Sequence, residues 1–100
     1  MKLGYDKRNN QIYCTNAYAC KDTLKAMGFK WNGMGKIWFV WCPESIEELS
    51  VIIRDVFINC NMDYDDLYDF LDEKLPYATA EKVANYLVND AKFQEATADI

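Results

Sequence analysis

The sequence has no histidine, only two prolines and four glycines, and no long hydrophobic run. Without histidine, serine–histidine and cysteine–histidine nucleophile pairs and the usual neutral-pH proton carrier are gone. The strongest uncharged apolar stretch, Ile37 to Pro43, falls far short of the roughly 20 residues that span a bilayer. Lys2-Leu3-Gly4-Tyr5-Asp6 also lacks the apolar core of a secretory signal. No membrane segment and a cytoplasmic location are therefore expected. Gly28 and Gly33 have the spacing of a phosphate loop, but Met34 stands where lysine must follow, so Gly33-Met34-Gly35 reads as a turn. Asp63, Asp65 and Asp66 begin like a calcium loop, yet Leu67 and Tyr68 replace the ligand and glycine that such a loop needs. An enzyme is not expected. Positive charge is scarce as well: 11 basic side chains against 16 acidic ones, net −5, disfavour a general nucleic-acid coat.

What remains is an aromatic-rich chain of 100 residues, 51% hydrophobic and 15% aromatic, short enough to be a single domain over 1–100. Leu3/Tyr5 and Ile12/Cys14 flank the polar run Asp6 to Asn10 and suggest a strand or hairpin. Leu24 and Met27, followed by Gly28, predict a short helix with a left-handed stop. The runs around Trp31 and Trp38 flank Asn32-Gly33-Met34-Gly35, whose asparagine and glycines tolerate positive φ, and predict an antiparallel hairpin. After Pro43, Ser45 and Glu48 form a capping-box signature. Ile46, Leu49, Ile52, Ile53, Val56 and Phe57 then recur at helical spacing to about Ile58. Asp63 caps a further segment with Tyr64, Leu67, Tyr68, Leu71 and Leu75 as its apolar stripe. A last helix from about Thr79 would bury Val83, Tyr86, Leu87 and Phe93. The expected fold is α+β: a small antiparallel sheet with a short helix in residues 1–42, a core helix at 45–58, and two acidic helices at 63–95.

Charge divides along the chain. Residues 1–60 carry eight basic and six acidic side chains, whereas residues 61–100 carry three basic and ten acidic ones. Asp65, Asp66, Asp69, Asp72 and Glu73 stand at three- and four-residue steps, which puts neighbouring carboxylates ~5–6 Å apart on a helix. Phosphates along a nucleic-acid strand are similarly spaced, so the stripe suggests a phosphate imitation presented to a protein with a basic groove. The competing reading is a solvated face that keeps a small protein soluble. Like-charge pairs of this kind cost about 0.2–0.5 kcal/mol each, and only Lys74 offsets them within the run.

Lys30, Trp31, Lys36, Trp38 and Trp41 gather rings and cations on one hairpin, a combination that stacks bases and meets phosphates. This supports an alternative: an accessory protein that binds single-stranded nucleic acid. Against it, Phe29, Trp31, Ile37, Phe39 and Trp41 read as one packed face with the lysines solvating the other. Cys14, Cys20, Cys42 and Cys60, expected to be reduced in the absence of an export signal, are either small core hydrophobes or ligands of a structural zinc. The count fits zinc, but the close pair of a zinc knuckle is missing.

The stretch Leu24-Lys25-Ala26-Met27-Gly28-Phe29-Lys30-Trp31-Asn32, followed by Lys36-Ile37-Trp38, resembles a short helix-and-hairpin module of small phage and mobile-element proteins. The likeness implies a structural unit of about 20 residues and carries no functional residue. In size, acidity and lack of an enzymatic motif the whole chain also resembles, in type, the phage-encoded anti-CRISPR and anti-restriction inhibitors. That likeness implies a non-enzymatic inhibitor acting in the host cytoplasm on a defence nuclease such as Cas9. An antidote to a basic toxin has the same signature.

Overall fold

The computed structural model describes all residues, Met1–Ile100. Four short strands, β1 (Lys2–Asp6), β2 (Gln11–Thr15), β3 (Lys30–Asn32) and β4 (Ile37–Trp41), form one antiparallel sheet in the order β1-β2-β4-β3. Two hairpins are thus zipped together by β2 and β4, with Ile12 opposite Val40 and Cys14 opposite Trp38. Their turns are alike. In the first, Asp6 Oδ1 accepts the Asn9 amide at 3.2 Å, and in the second Asn32 Oδ1 accepts the Met34 and Gly35 amides at 3.1 Å. The last residue of each turn is left-handed, Asn10 at φ 52° and Lys36 at φ 54°. The expectation that glycines supply positive φ in the second turn is therefore corrected: Gly33 and Gly35 do not, and Lys36 does.

Because strand side chains alternate, Leu3, Ile12 and Cys14 turn inward onto the helical core, with Trp38 and Val40 partly buried beside them. Tyr13, Phe39 and Trp41 occupy the other face, and a Cβ on Gly4 would collide with the Tyr13 ring. Any larger residue there would require the Tyr13 ring to move aside.

Helix α1 (Lys21–Ala26) follows a single 3₁₀ turn, Tyr18–Cys20. It stops at Gly28, φ 95°, where the Gly28 amide donates to Lys25 and the Phe29 amide to Leu24. This left-handed stop is the one the sequence predicts, and it seats buried Phe29 beside Leu24. Helix α2 (Ile46–Asn59) starts where Ser45 Oγ accepts the Glu48 amide at 3.2 Å. Only that half of the capping box forms. Its buried face is Leu49, Ile53, Val56 and Phe57, and Asn61, φ 52°, ends it in the same left-handed way.

The C-terminal part differs from expectation in phase and in number of helices. Asp63 caps α3 (Tyr64–Asp69) as expected, accepting the Asp65 amide at 3.2 Å, but the helix then widens into a π turn, Phe70–Lys74. The buried residues are Leu67, Phe70 and Leu75, whereas Tyr64 and Tyr68 stay exposed. Phe70 lies among acidic residues, and packing of this segment on β1 and on the following helix carries it into the core. The last helix is two: α4 (Tyr77–Val88) and α5 (Ala91–Ala96). Phe93, six residues after Leu87, is out of phase with Val83 and Leu87 on a continuous helix. A break at Asn89-Asp90 turns it inward, where it packs against Phe57 with ring centroids 5.5 Å apart.

Asp90 secures that break twice. Its Oδ1 accepts the Phe93 amide at 2.9 Å, and its Oδ2 lies 2.9 Å from Nη1 of buried Arg54. The Phe93 amide first, and Arg54 with it, hold the Asp90 carboxyl below the usual range against the opposing effect of desolvation. Ser50 Oγ on α2 is fully buried and has no hydrogen-bond partner. Cys20, at the start of α1, and Cys60, at the end of α2, are joined by a disulfide. No helix is long and apolar enough to cross a membrane.

Candidate functional site

Three groups of residues stand out from the sequence, and the fold treats each differently. The cysteines do not converge. Cys20 and Cys60 are bonded to each other with Cα atoms 5.6 Å apart, Cys14 is buried on β2, and Cys42 is half-buried after β4. No group of three or more cysteines or carboxylates is placed to hold a metal ion. The expected structural zinc on Cys14, Cys20, Cys42 and Cys60, and the expectation that all four stay reduced, are both corrected. Each thiol sits at or near an element end, but no three converge with other ligands, and two thiols are consumed by the bridge. Burial pushes the Cys14 thiol up to about 12 and raises that of Cys42.

The acidic residues follow α3 and the π turn. Asp65, Asp69, Asp72 and Glu73 are exposed and Asp66 is half-buried. The only ion pairs in the protein are those of Arg54 with Asp55 and Asp90, so none of the five is neutralised by a lysine or arginine. They do not make one straight row. Asp66 turns toward a depression beside the disulfide, lined by Met1, Ala19 and Asn61, whereas Asp72 turns toward a groove between α3 and α4.

That groove, about 320 Å³, is lined by Tyr64, Leu67, Leu71 and Val88 and rimmed by Tyr68, Tyr77, Asp72 and Glu81. Tyr68 is 57% exposed and Tyr77 83%. In the sequence, the helical spacing of Tyr64 and Tyr68 favours the core over the alternative of exposed interface anchors. Their exposure follows from the rotation that buries Phe70 instead.

The tryptophan–lysine hairpin is split by the sheet. Trp31 and Trp38 face each other across β3 and β4, ring centroids 5.4 Å apart and planes tilted by 49°. Lys30 projects from the opposite face, its Nζ 5.1 Å from the Trp41 ring centroid. The single packed face of Phe29, Trp31, Ile37, Phe39 and Trp41 is thus corrected, because alternation separates Trp31 from Phe39 and Trp41. Trp31, Trp38 and Lys36 instead share a cleft of about 480 Å³ with Tyr18, Lys21 and Lys25. Sequence reasoning missed those last three, although Lys21 and Lys25, four apart, share a face of α1.

No protein-family model, curated protein or solved structure matches this chain.

Proposed function

We propose that this chain is a non-enzymatic inhibitor whose acidic C-terminal half docks on the basic groove of a nucleic-acid-handling protein and competes there with nucleic acid. The observation that supports this reading is the set of unpaired carboxylates on α3 and the π turn beside a groove edged by exposed tyrosines. The π turn breaks the even spacing of a phosphate backbone, but Asp65, Asp69, Asp72 and Glu73, exposed and unpaired on one short segment, still concentrate a negative field that lysines and arginines of a basic groove would meet. Tyr68 and Tyr77 supply the desolvating anchors that charge alone lacks, since tyrosine is enriched where binding energy concentrates. The like-charge run opposes helix stability, a cost that neutralisation by a basic partner would offset. The resemblance in type to phage-encoded inhibitors makes a defence nuclease such as Cas9 the target class.

Such docking weakens with ionic strength, because its charges are exposed and screened. The test is the DNA-cleavage activity of Cas9 in the presence of the protein, read for the natural chain and for Asp65→Lys/Asp66→Lys/Asp69→Lys/Asp72→Lys. The natural chain is expected to inhibit, and the reversed variant to lose inhibition while its circular dichroism stays unchanged. Equal inhibition by the two chains rejects the mechanism.

A further inference from the structure

The cleft between α1 and the β3–β4 hairpin is basic on a protein that is acidic overall. Lys21, Lys25 and Lys36 line it against a single carboxylate, Asp22, in a chain of net charge −5. None of these lysines is within ion-pair reach of a carboxylate, since both ion pairs belong to Arg54. The aromatic side chains there are open: Trp31 is 52% exposed and Tyr18 79%. Lys21 Nζ sits 4.4 Å from the Tyr18 ring centroid, so the cation and the ring hold each other in place at the cleft edge. Cys14 and Ala17, both buried, form its floor.

Two further observations bear on how the cleft is built. The disulfide at Cys20 anchors the residue immediately before Lys21 to the end of α2, so the wall bearing Lys21 and Lys25 is covalently fixed. Lys36 also occupies a left-handed position, φ 54°, that its sister turn fills with Asn10, φ 52°. Asparagine enters that conformation more readily than lysine. A lysine at this site is a poor choice for the turn and a good one for a charge aimed into the cleft.

We infer that this cleft binds a nucleotide unit, its base stacked on the exposed Trp31 ring and its phosphate met by Lys21, Lys25 and Lys36. Its volume of about 480 Å³ lies within the range of small-molecule sites, about 300–1,000 Å³. A duplex hides its base faces, so the polymeric form of such a ligand is a single strand, and stacking of this kind tolerates any base. The site uses other elements than the acidic face, and its success or failure is independent of the inhibitor reading.

The probes are labelled decathymidylate, followed by anisotropy and by quenching of tryptophan fluorescence, and AMP as a competitor. Binding is expected at 50 mM salt. With three phosphate-facing lysines the slope of log K against log salt is about −2, or about twentyfold weaker binding at 200 mM. Trp31→Ala and Lys21→Glu/Lys25→Glu are each expected to weaken binding at least tenfold with unchanged circular dichroism. Lys30→Glu, on the other face of the sheet, leaves it unchanged. Lys36→Asn separates binding from folding, because it weakens the complex while raising the melting temperature. Displacement by AMP assigns the site to a single nucleotide, and failure of AMP to displace assigns it to a strand, both in keeping with the inference. No binding of either probe at 50 mM salt, or equal losses in Lys30→Glu and the cleft variants, overturns it.

Discussion

Reducing the Cys20–Cys60 bond tests how much of this small fold depends on a single covalent tie. The bridge closes a loop across 40 residues that contains α1, β3, β4 and all of α2. Loop-closure entropy for that length is about 13 cal/mol/K, or about 4 kcal/mol at 25 °C, an upper figure beside the roughly 2–4 kcal/mol usually measured. Domains of this size are held by only about 5–15 kcal/mol in all. Urea unfolding followed by tryptophan fluorescence, with and without dithiothreitol, reads the difference. At a slope of about 2 kcal/mol/M, the midpoint is expected to fall by about 1–2 M. Cys20→Ser/Cys60→Ser should match the reduced protein. Alkylation at pH 8 of the unreduced native chain should spare Cys20 and Cys60, and should also spare Cys14, whose buried thiol is pushed up to about 12. A midpoint unmoved by reduction, or labelling of Cys20 and Cys60 without reductant, refutes the reasoning. Since reducing compartments open such bonds, the same experiment shows how the stability of the cleft wall follows its redox surroundings.

Acid should destabilise the fold through Asp90. Its carboxyl is held below the ordinary value in the folded state, so its contribution is complete above the unfolded value near 3.8 and is lost as pH falls through the folded one. Asp90→Asn should flatten that acid limb in pH-resolved thermal melts, and an unchanged limb would show that the Phe93 amide and Arg54 do not favour the charged form. Ser50→Ala removes a buried hydroxyl that has no partner, and should raise stability by about 1 kcal/mol in urea unfolding. A loss of stability instead would mean that the hydroxyl is satisfied in solution.

Local chemistry made several elements legible. Ser45 before an apolar period of 3.6 announces α2, and Gly28 after Leu24 and Met27 announces the stop of α1, because capping and left-handed backbone are decided by residues a few positions apart. The β3–β4 hairpin is legible for the same reason, though the residue that takes the left-handed position in its turn is not. The stripe of Tyr64, Leu67, Tyr68 and Leu71 failed where periodicity alone had to choose a phase. Phe70 enters the core because β1 and α4 pack on that side of the segment, which no local pattern states.

The amino-acid order by itself determined the class of the fold, the stop of α1, the bounds of α2 and the concentration of negative charge in the last forty residues, all of which depend on neighbours in sequence. Tertiary structure alone decided that β2 pairs with β4, that Cys20 meets Cys60, and that Lys21 and Lys25 join Trp31 and Trp38 in one cleft. Those are contacts between distant segments. They are set by which apolar faces bury together, and a side chain's own neighbours in sequence carry no record of that choice.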